Sequence, residues 1–205
     1  MHSPILDAIA QRSTTNLFDP DRGLADDDIT ELVRLATTAP SSFNLQNWRF
    51  IAVRSPEAKA RLRKLAWDQA KVTDAAVTFI VCGQLADHED IPARLKPVVD
   101  AGIMPAEMVP GWQGAAKSLY FEQPQRQRDE AVRTATFGAT TLIHAAQAKG
   151  LGSAPMIGFD APAVAEAFEL AGNEIPVMLL AVGHALPGNW PQKPRRPLSQ
   201  VLTQV

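Results

Sequence analysis

The sequence APSSFNLQNWRF at residues 39–50 lies between a segment of helical periodicity and a short apolar run. Pro40 ends the helix predicted over Asp26–Thr38, because proline cannot continue an α-helix. The next segment, Trp48–Val53, predicts a strand. Between this helix and this strand lie Ser41, Ser42, Asn44 and Gln46. These are more polar side chains than an ordinary helix-to-strand turn requires. We therefore interpret this polar segment as a functional loop.

Helix-length segments alternate with a few strand-length ones on both sides of this loop. Further helices are predicted from Ser3-Pro4 with Ile5, Leu6 and Ile9 as its apolar face, from Ser55-Pro56 to about Ala66, over Gln125–Lys149 with Gly150 as its stop, and from Asp160 to near Gly172. Further strands are predicted at Ala76–Cys82, Pro176–Gly183 and Leu198–Val205, with a tight loop over Gly150–Pro155. This order predicts an α+β fold with one long central helix.

The chain is predicted to form a single domain over residues 1–205, because no linker, repeat or low-complexity block divides it. Within that domain, Gln84–Gln123 is irregular, with glycine, proline and methionine scattered through it. We expect a helical excursion or lid there.

Composition excludes several classes of protein. With 46% hydrophobic residues the chain is expected to fold, and its net charge of -2 gives no basic face for a nucleic-acid partner. Cys82 is the only cysteine, so an intrachain disulfide is impossible and a cysteine-based metal site is not expected. No apolar run is long enough to cross a bilayer, and the first residues lack the core of a signal peptide. These features favour a soluble, cytoplasmic protein without a membrane partner.

The common catalytic motifs are missing. No G-x-G-x-x-G follows a strand, and neither H-E-x-x-H nor G-x-S-x-G occurs. Gly111–Ser118 approaches a phosphate-binding loop, but its Lys-Ser pair is not preceded by glycine. Cys82 lies in an apolar strand and is interpreted as inert core. No side chain is therefore predicted to be a catalytic acid, base or nucleophile.

Four segments, taken in order and spread from residue 8 to residue 197, resemble the FMN-binding nitroreductase family. In the first segment, Arg12-Ser13 matches the family's basic residue followed by serine. The resemblance implies a flavin phosphate site here, for which a guanidinium fork and a hydroxyl are suited. Gln11 and Thr15 replace basic residues of the family pattern, and both are predicted to line the same site through hydrogen bonds.

The second segment is the loop quoted above, which resembles the family's A-P-S-S-x-N-x-Q-P-W-x-F, with Asn47 in place of proline. The resemblance implies that this loop crosses a homodimer interface and packs on the neighbour's flavin. The residues predicted to bind or support the flavin there are Pro40, Ser41, Ser42, Asn44 and Gln46.

The third segment, Trp67–Ala75, resembles the family segment beside the pyrimidine edge of the flavin ring. The resemblance implies a role for Lys71, since a cation there stabilises anionic reduced flavin. Asp68 or Gln69 is predicted to hydrogen-bond the same edge.

The fourth segment combines a loop with the tail. Gly150–Phe159 resembles the family's G-L-G-x-x-P-x-x-G-F, which implies that Pro155, Met156, Ile157 and Gly158 border flavin N5 through their backbone. Ile157 stands where glutamate is common in the family. In the tail, Lys193 and Arg195 match the family's K-x-R-x-P and are predicted to complete the phosphate site.

The resemblance implies a nitroreductase-like fold, in which helices flank a central mixed or antiparallel sheet. It also implies an FMN-dependent oxidoreductase that uses NADH or NADPH, in a ping-pong reaction, to pass hydride through flavin N5 to nitroaromatics, quinones or related acceptors. A reductase of another acceptor, of dehalogenase or enoate type, and a non-catalytic flavin-binding protein are the alternatives. Apolar residues predicted to line the substrate pocket are Phe43, Trp112 and Tyr120, with Met104, Met108 and Phe121 as further candidates.

Overall fold

The computed structural model describes residues 3–205, in which eight α-helices and four strands form an α+β fold. The helices are α1 (Pro4–Gln11), α2 (Asp26–Ala36), α3 (Pro56–Leu65), α4 (Lys71–Asp74), α5 (Ile91–Asp100), α6 (Val109–Tyr120), α7 (Pro124–Ala148) and α8 (Ala161–Ala167). The strands are β1 (Trp48–Val53), β2 (Val77–Gln84), β3 (Gly152–Met156) and β4 (Glu174–Gly183).

The four strands form one sheet in the order β1-β2-β4-β3, and every neighbouring pair is antiparallel. The antiparallel form of the predicted sheet is therefore the one observed. The register between β2 and β4 shifts between Val81 and Cys82, and Pro176 lies opposite Cys82. Because proline has no N–H to donate, a central strand accommodates it best at such an irregularity.

Strand β2 is buried on both faces, so its side chains alternate between two cores. Val77, Phe79 and Val81 pack with α2 and α7, whereas Ile80 and Cys82 pack with residues of α3 and α8. The helix predicted over Gln125–Lys149 is α7, which contacts all four strands. Its buried face consists mainly of small residues, so that the helix lies close against the sheet.

Two predicted elements are wrong. Gly150–Pro155 is not a loop, because Gly152–Met156 forms the edge strand β3, where proline is tolerated despite its missing N–H. Leu198–Val205 forms no strand. It contains a short 3₁₀ turn over Leu198–Gln200, and its side chains are exposed. In the described part of the chain this segment pairs with no other strand, so its apolar residues alone do not make it one.

Two helices end earlier than predicted. Helix α2 stops at Ala36, because the hydroxyls of Thr37 and Thr38 donate to the carbonyls of Arg34 and Leu35 and close the last turn. Helix α8 stops at Ala167 rather than near Gly172.

Helices α5 and α6 lie within the irregular segment Gln84–Gln123 and form a third, smaller core. Ile91 and Leu95 of α5 and Tyr120 of α6 pack there around Leu45, which belongs to the polar loop before β1. The helical excursion is therefore joined to the functional loop by shared packing rather than only by the chain.

Within residues 3–205, the apolar face of α1 is left exposed. Ile5 and Leu6 are 71% and 64% exposed, and Ile9 is also exposed. Exposed apolar side chains grouped on one helix indicate a surface that another molecule covers. None of the helices in the described part is long and apolar enough to span a membrane.

The buried carboxylate of Glu174 joins three strands at one end of the sheet. Glu174 accepts hydrogen bonds from Arg49 at 2.7 Å, from Gln84 at 3.2 Å and from the N–H of Ala171 at 3.0 Å. Burial by itself raises the pKa of Glu174, but these hydrogen bonds outweigh it and hold the pKa below its ordinary 4.5.

Replacing Glu174 with glutamine is expected to lower the free energy of unfolding by about 1–3 kcal/mol at pH 7. Since the folded pKa is depressed, this contribution is present above the unfolded pKa and disappears as the pH falls through the folded one. Urea unfolding across pH 3–7 measures the difference between wild type and variant, with exposed Glu166→Gln as the control. A difference that stays constant down to pH 3 would contradict this account of Glu174.

Candidate functional site

A pocket of ≈ 240 Å³ lies between the segment after α1, the start of α4 and the C-terminal tail. We call it the basic pocket because four cationic side chains line it. Its lining residues are Arg12, Ser13, Thr14, Asn16, Lys71, Trp190, Pro191, Gln192, Lys193 and Arg195. The structure thus brings together three separate segments in which flavin-binding residues are predicted.

The tail is held on this pocket by two amide side chains. Asn189 accepts hydrogen bonds from the backbone N–H groups of Asn16 at 2.7 Å and Leu17 at 3.0 Å, and it donates to the carbonyl of Leu17 at 2.9 Å. Gln192 donates to the carbonyl of Arg12 at 3.1 Å. Sequence reasoning missed Asn189, whose only signal is an amide side chain within a segment rich in proline and glycine.

Among the residues that the structure describes, the four cations of the basic pocket have no carboxylate partner. Within residues 3–205, no ion pair involves Arg12, Lys71, Lys193 or Arg195. Burial, and to a smaller extent the charge of Lys193, lower the pKa of Lys71. The Lys71 ammonium donates to the amide oxygen of Asn16 at 3.3 Å. Unpaired cations that repel one another favour the binding of an anion between them.

The polar loop before β1, Ser41–Gln46, has a strained backbone. Phe43, Asn44 and Gln46 have φ values of 51°, 55° and 49°, in the left-handed region that residues other than glycine rarely occupy. Each such residue costs about 1 kcal/mol or more, less for asparagine, and such residues concentrate at functional sites. Within the loop, the Ser41 hydroxyl accepts from the N–H of Gln46 at 3.0 Å, and Gln46 donates to Asn44 at 3.2 Å.

Ser42 and Asn44 of this loop each line a further pocket, whereas Phe43, which was predicted to line the substrate pocket, lines neither. Its ring meets Trp112 edge-on at 6.1 Å between centroids and Tyr120 at 6.3 Å. The pocket that includes Asn44 is apolar, has a volume of ≈ 420 Å³ and is lined by Asn44, Leu95, Val98, Ile103, Met104, Pro105, Met108 and Trp112. The pocket that includes Ser42 is polar, has a volume of ≈ 350 Å³ and is lined by Ser42, Leu119, Tyr120, Arg126, Asp129, Glu130 and Arg133. Of the further predicted lining residues, Phe121 lines neither pocket and packs on His88.

The segment after β3 lies partly at the surface. Met156 is buried, but Ile157 is 83% exposed, so a hydrophobic residue faces solvent here. Gly158 lies under the ring of Trp67, where a Cβ would come within 2.9 Å of the ring, and its carbonyl accepts from Gln69 at 2.8 Å.

Trp67 is a second residue that sequence reasoning missed. It is 72% exposed and has a φ of 52°, and Asp68 follows with a φ of 54°. Two consecutive residues in the left-handed region fix a large aromatic ring beside Ile157 and Gly158. The only sequence signal was a tryptophan in an otherwise polar helix end.

Several predicted site residues lie elsewhere. Gln11 and Thr15 do not line the basic pocket, and Thr15 is buried against Gly152 with its N–H bonded to the carbonyl of Ser153. The Asp68 carboxylate accepts from Arg63 at 2.7 Å. The exposed Pro40 and Pro155 line none of these three pockets. No residue of the Ser41–Gln46 loop lines the basic pocket, so the two halves of the predicted flavin site are separate within one chain.

These groups are equipped for binding rather than for proton transfer. The basic pocket offers charge-assisted donors to an anion, and the other pocket offers an apolar surface with one amide. Within residues 3–205, no group of three His, Cys, Asp or Glu side chains is placed to hold a metal ion. The arrangement therefore suits an anionic cofactor and an apolar substrate.

Comparison with known proteins agrees with this arrangement. The model of the family described as Nitroreductase family matches residues 9–184. Protein DrgA of Synechocystis sp. is 37% identical over 177 residues, which cover 86% of this chain and 82% of that protein. YodC of Bacillus subtilis, named as a candidate NAD(P)H nitroreductase, is 31% identical over 199 residues, 97% of each chain. A candidate nitroreductase of Exiguobacterium sibiricum, solved in complex with FMN, superimposes with a TM-score of 0.90 at 26% identity, over 100% of this chain and 99% of that one.

Proposed function

Since the chain belongs to the nitroreductase family, we propose that it is an FMN-dependent oxidoreductase that uses NAD(P)H to reduce quinones, nitroaromatics or related acceptors. The basic pocket carries this proposal, because it gathers four unpaired cations and the Ser13 hydroxyl from three segments of the chain. Such a set suits a terminal phosphate monoester.

FMN fits the residues that surround this pocket. Arg12, Ser13, Lys193 and Arg195 would hold its phosphate, and Lys71 would lie towards the flavin ring. The backbone at Ile157 and Gly158 would border the ring, with Gln69 holding Gly158 in place. When bound, FMN supplies the centre that accepts hydride from NAD(P)H and passes it to the acceptor. The residues of the chain bind FMN, orient the donor and the acceptor, and exclude water. The donor and the acceptor use the same site in turn.

The complete site forms between two copies of the chain. The Ser41–Gln46 loop and the basic pocket are apart within one subunit, so each would complete the site of the other in a symmetric dimer. The exposed apolar face of α1, with Ile5 and Leu6, gives such a dimer a surface to bury. A cytoplasmic location fits the single free thiol of Cys82.

The apolar pocket favours an uncharged, flat acceptor. Leu95, Met104 and Trp112 supply apolar walls, and Asn44 is the one side-chain amide among its lining residues. A quinone or nitroaromatic has this combination of an apolar ring and a few acceptor oxygens, which the Asn44 amide can bind.

Purified protein is expected to carry FMN rather than FAD, with about one FMN bound per chain when the site is full. The reason is that the four cations lie in one small pocket, which suits a terminal monophosphate better than a bridging diphosphate with an attached nucleoside. Chromatography of the chromophore released by heat identifies it, and reduction by NAD(P)H under anaerobic conditions separates an enzyme from a carrier. FAD as the main species, or no flavin after supplementation with FMN, would count against the proposed function.

A further inference from the structure

Glu130 of α7 is a buried carboxylate that the proposed cofactor and acceptor sites do not use. Its side chain is nearly inaccessible, at 4% exposure for the residue. Three donors satisfy it: the Tyr120 hydroxyl at 3.2 Å, the Thr134 hydroxyl at 3.0 Å and the guanidinium of Arg133. A buried charge is costly unless it is hydrogen-bonded. The three donors offset that cost, and they connect Glu130 to specific neighbouring side chains.

Tyr120 joins this carboxylate to the Ser41–Gln46 loop. Its ring meets the ring of Phe43 edge-on at 6.3 Å. Its hydroxyl donates to Glu130, and Ser42 lines the same polar pocket as both. Burial raises the pKa of Tyr120, and the interaction with Ser42 only partly offsets this. The phenol therefore keeps its proton and remains a hydrogen-bond donor at neutral pH.

The loop needs support from outside itself. Its internal hydrogen bonds join Ser41, Asn44 and Gln46, but they do not hold the side chain of Phe43, whose φ is 51°. Phe43 is instead held between Trp112 and Tyr120 of α6. A bulky residue in the left-handed region persists only where its surroundings favour it strongly.

We propose that Glu130 is a positioning residue for the Ser41–Gln46 loop, and that it acts through Tyr120, which it holds against Ser42 and Phe43. The inference rests on the proposed function, in which this loop supplies Asn44 to the acceptor. Removing the carboxylate leaves the Tyr120 hydroxyl without its acceptor. The contact between Tyr120 and Phe43 then loosens. As a result, Asn44 adopts the geometry that the acceptor needs less often.

The kinetic test uses the holoenzyme with NADH and 1,4-benzoquinone. Tyr120→Phe and Glu130→Ala are each expected to lower kcat/KM for benzoquinone by roughly three- to tenfold, the size expected for one hydrogen bond. The double variant is expected to be no worse than the stronger single variant, because both changes break one connection. Glu130→Gln keeps an acceptor oxygen and is expected to retain kcat/KM within about twofold. The control is Ser118→Ala, which removes an exposed hydroxyl from α6, the helix of Tyr120.

A second measurement does not depend on flavin. Hydrogen exchange of the amides of residues 42–46, followed by mass spectrometry, is expected to be faster in Tyr120→Phe than in wild type and unchanged in Ser118→Ala. If Glu130→Ala does not fold, Tyr120→Phe still decides the question, because it keeps the ring. Unchanged loop exchange, or additive kinetic losses in the double variant, would overturn the role of Glu130. A wild type that binds no FMN would instead overturn the proposed function, and the exchange measurement would still test Glu130.

Discussion

Replacing Arg12 with alanine is expected to weaken FMN binding by about 10- to 150-fold. Charge-assisted hydrogen bonds to a phosphate are worth roughly 1.5–3 kcal/mol, and about 1.4 kcal/mol corresponds to a factor of ten in the dissociation constant. Arg12 is the one cation of the basic pocket supplied by the segment after α1. The neighbouring Gln11 and Thr15 carry no charge and do not line the pocket, so they cannot replace it.

Lys71 provides the contrast that locates the two ends of the cofactor. If Lys71 lies towards the flavin ring, which is neutral when oxidised, Lys71→Ala is expected to change the affinity for oxidised FMN less than Arg12→Ala does. Loss of Lys71 also removes a cation that Lys193 repels in the empty pocket, which further limits the cost. Its main effect is expected on the midpoint potential, which should fall because reduced flavin is anionic.

Fluorescence quenching of FMN by apoprotein measures both affinities, and redox titration with a reference dye measures the potential. Arg22→Ala, which removes the same charge from an exposed loop outside the basic pocket, is the matched control. Arg12→Lys should recover only part of the affinity, since an ammonium lacks the guanidinium fork. If Lys71→Ala loosens oxidised FMN more than Arg12→Ala does, the two residues have been assigned to the wrong ends of the cofactor.

The sequence predicted those parts of the fold that local patterns determine. Strand β1 was expected at Trp48–Val53 and occupies those residues, and α7 differs from its predicted span by one residue at each end. Proline, serine and alternating apolar residues act over a few positions, so their effect can be read from neighbouring residues. The edge strand β3 was missed, because its glycine and proline are typical of loops and only pairing with β4 makes it a strand.

The predicted site shows the same division. The polar residues of the Ser41–Gln46 loop and the basic residues of the tail were recognisable by type and order. Asn189 and Trp67 were not, because their contacts are distant in sequence: Asn189 binds the backbone of Asn16, 173 residues away, and Trp67 covers Gly158. Such residues fix the shape of a site but do not bind the cofactor or substrate themselves. Their residue types therefore do not indicate their roles.

Mixing two inactive variants is expected to restore activity if the site forms between subunits. Arg195→Ala removes a cation from the basic pocket, and Asn44→Asp alters the loop at a position whose left-handed backbone aspartate also tolerates. Each homodimer then carries two damaged sites. A mixed dimer carries one site with both defects and one site with neither, because each defect belongs to a different half of the site. After unfolding and refolding an equal mixture, half of the randomly paired symmetric dimers are mixed, and each mixed dimer has one intact site. About a quarter of all sites should therefore be intact.

The matched control for this experiment pairs two defects of the same half-site. Arg195→Ala mixed with Lys193→Ala damages only basic pockets, so every site in every dimer keeps a defect and activity should stay at the level of the single variants. Recovery in the first mixture but not in the second requires the Ser41–Gln46 loop of one subunit to act on the pocket of the other. Light scattering of the flavin-loaded protein measures its mass independently. A stable flavin-loaded monomer, or equal activity in the two mixtures, would show that a single chain completes its own site and that the apolar face of α1 has another purpose.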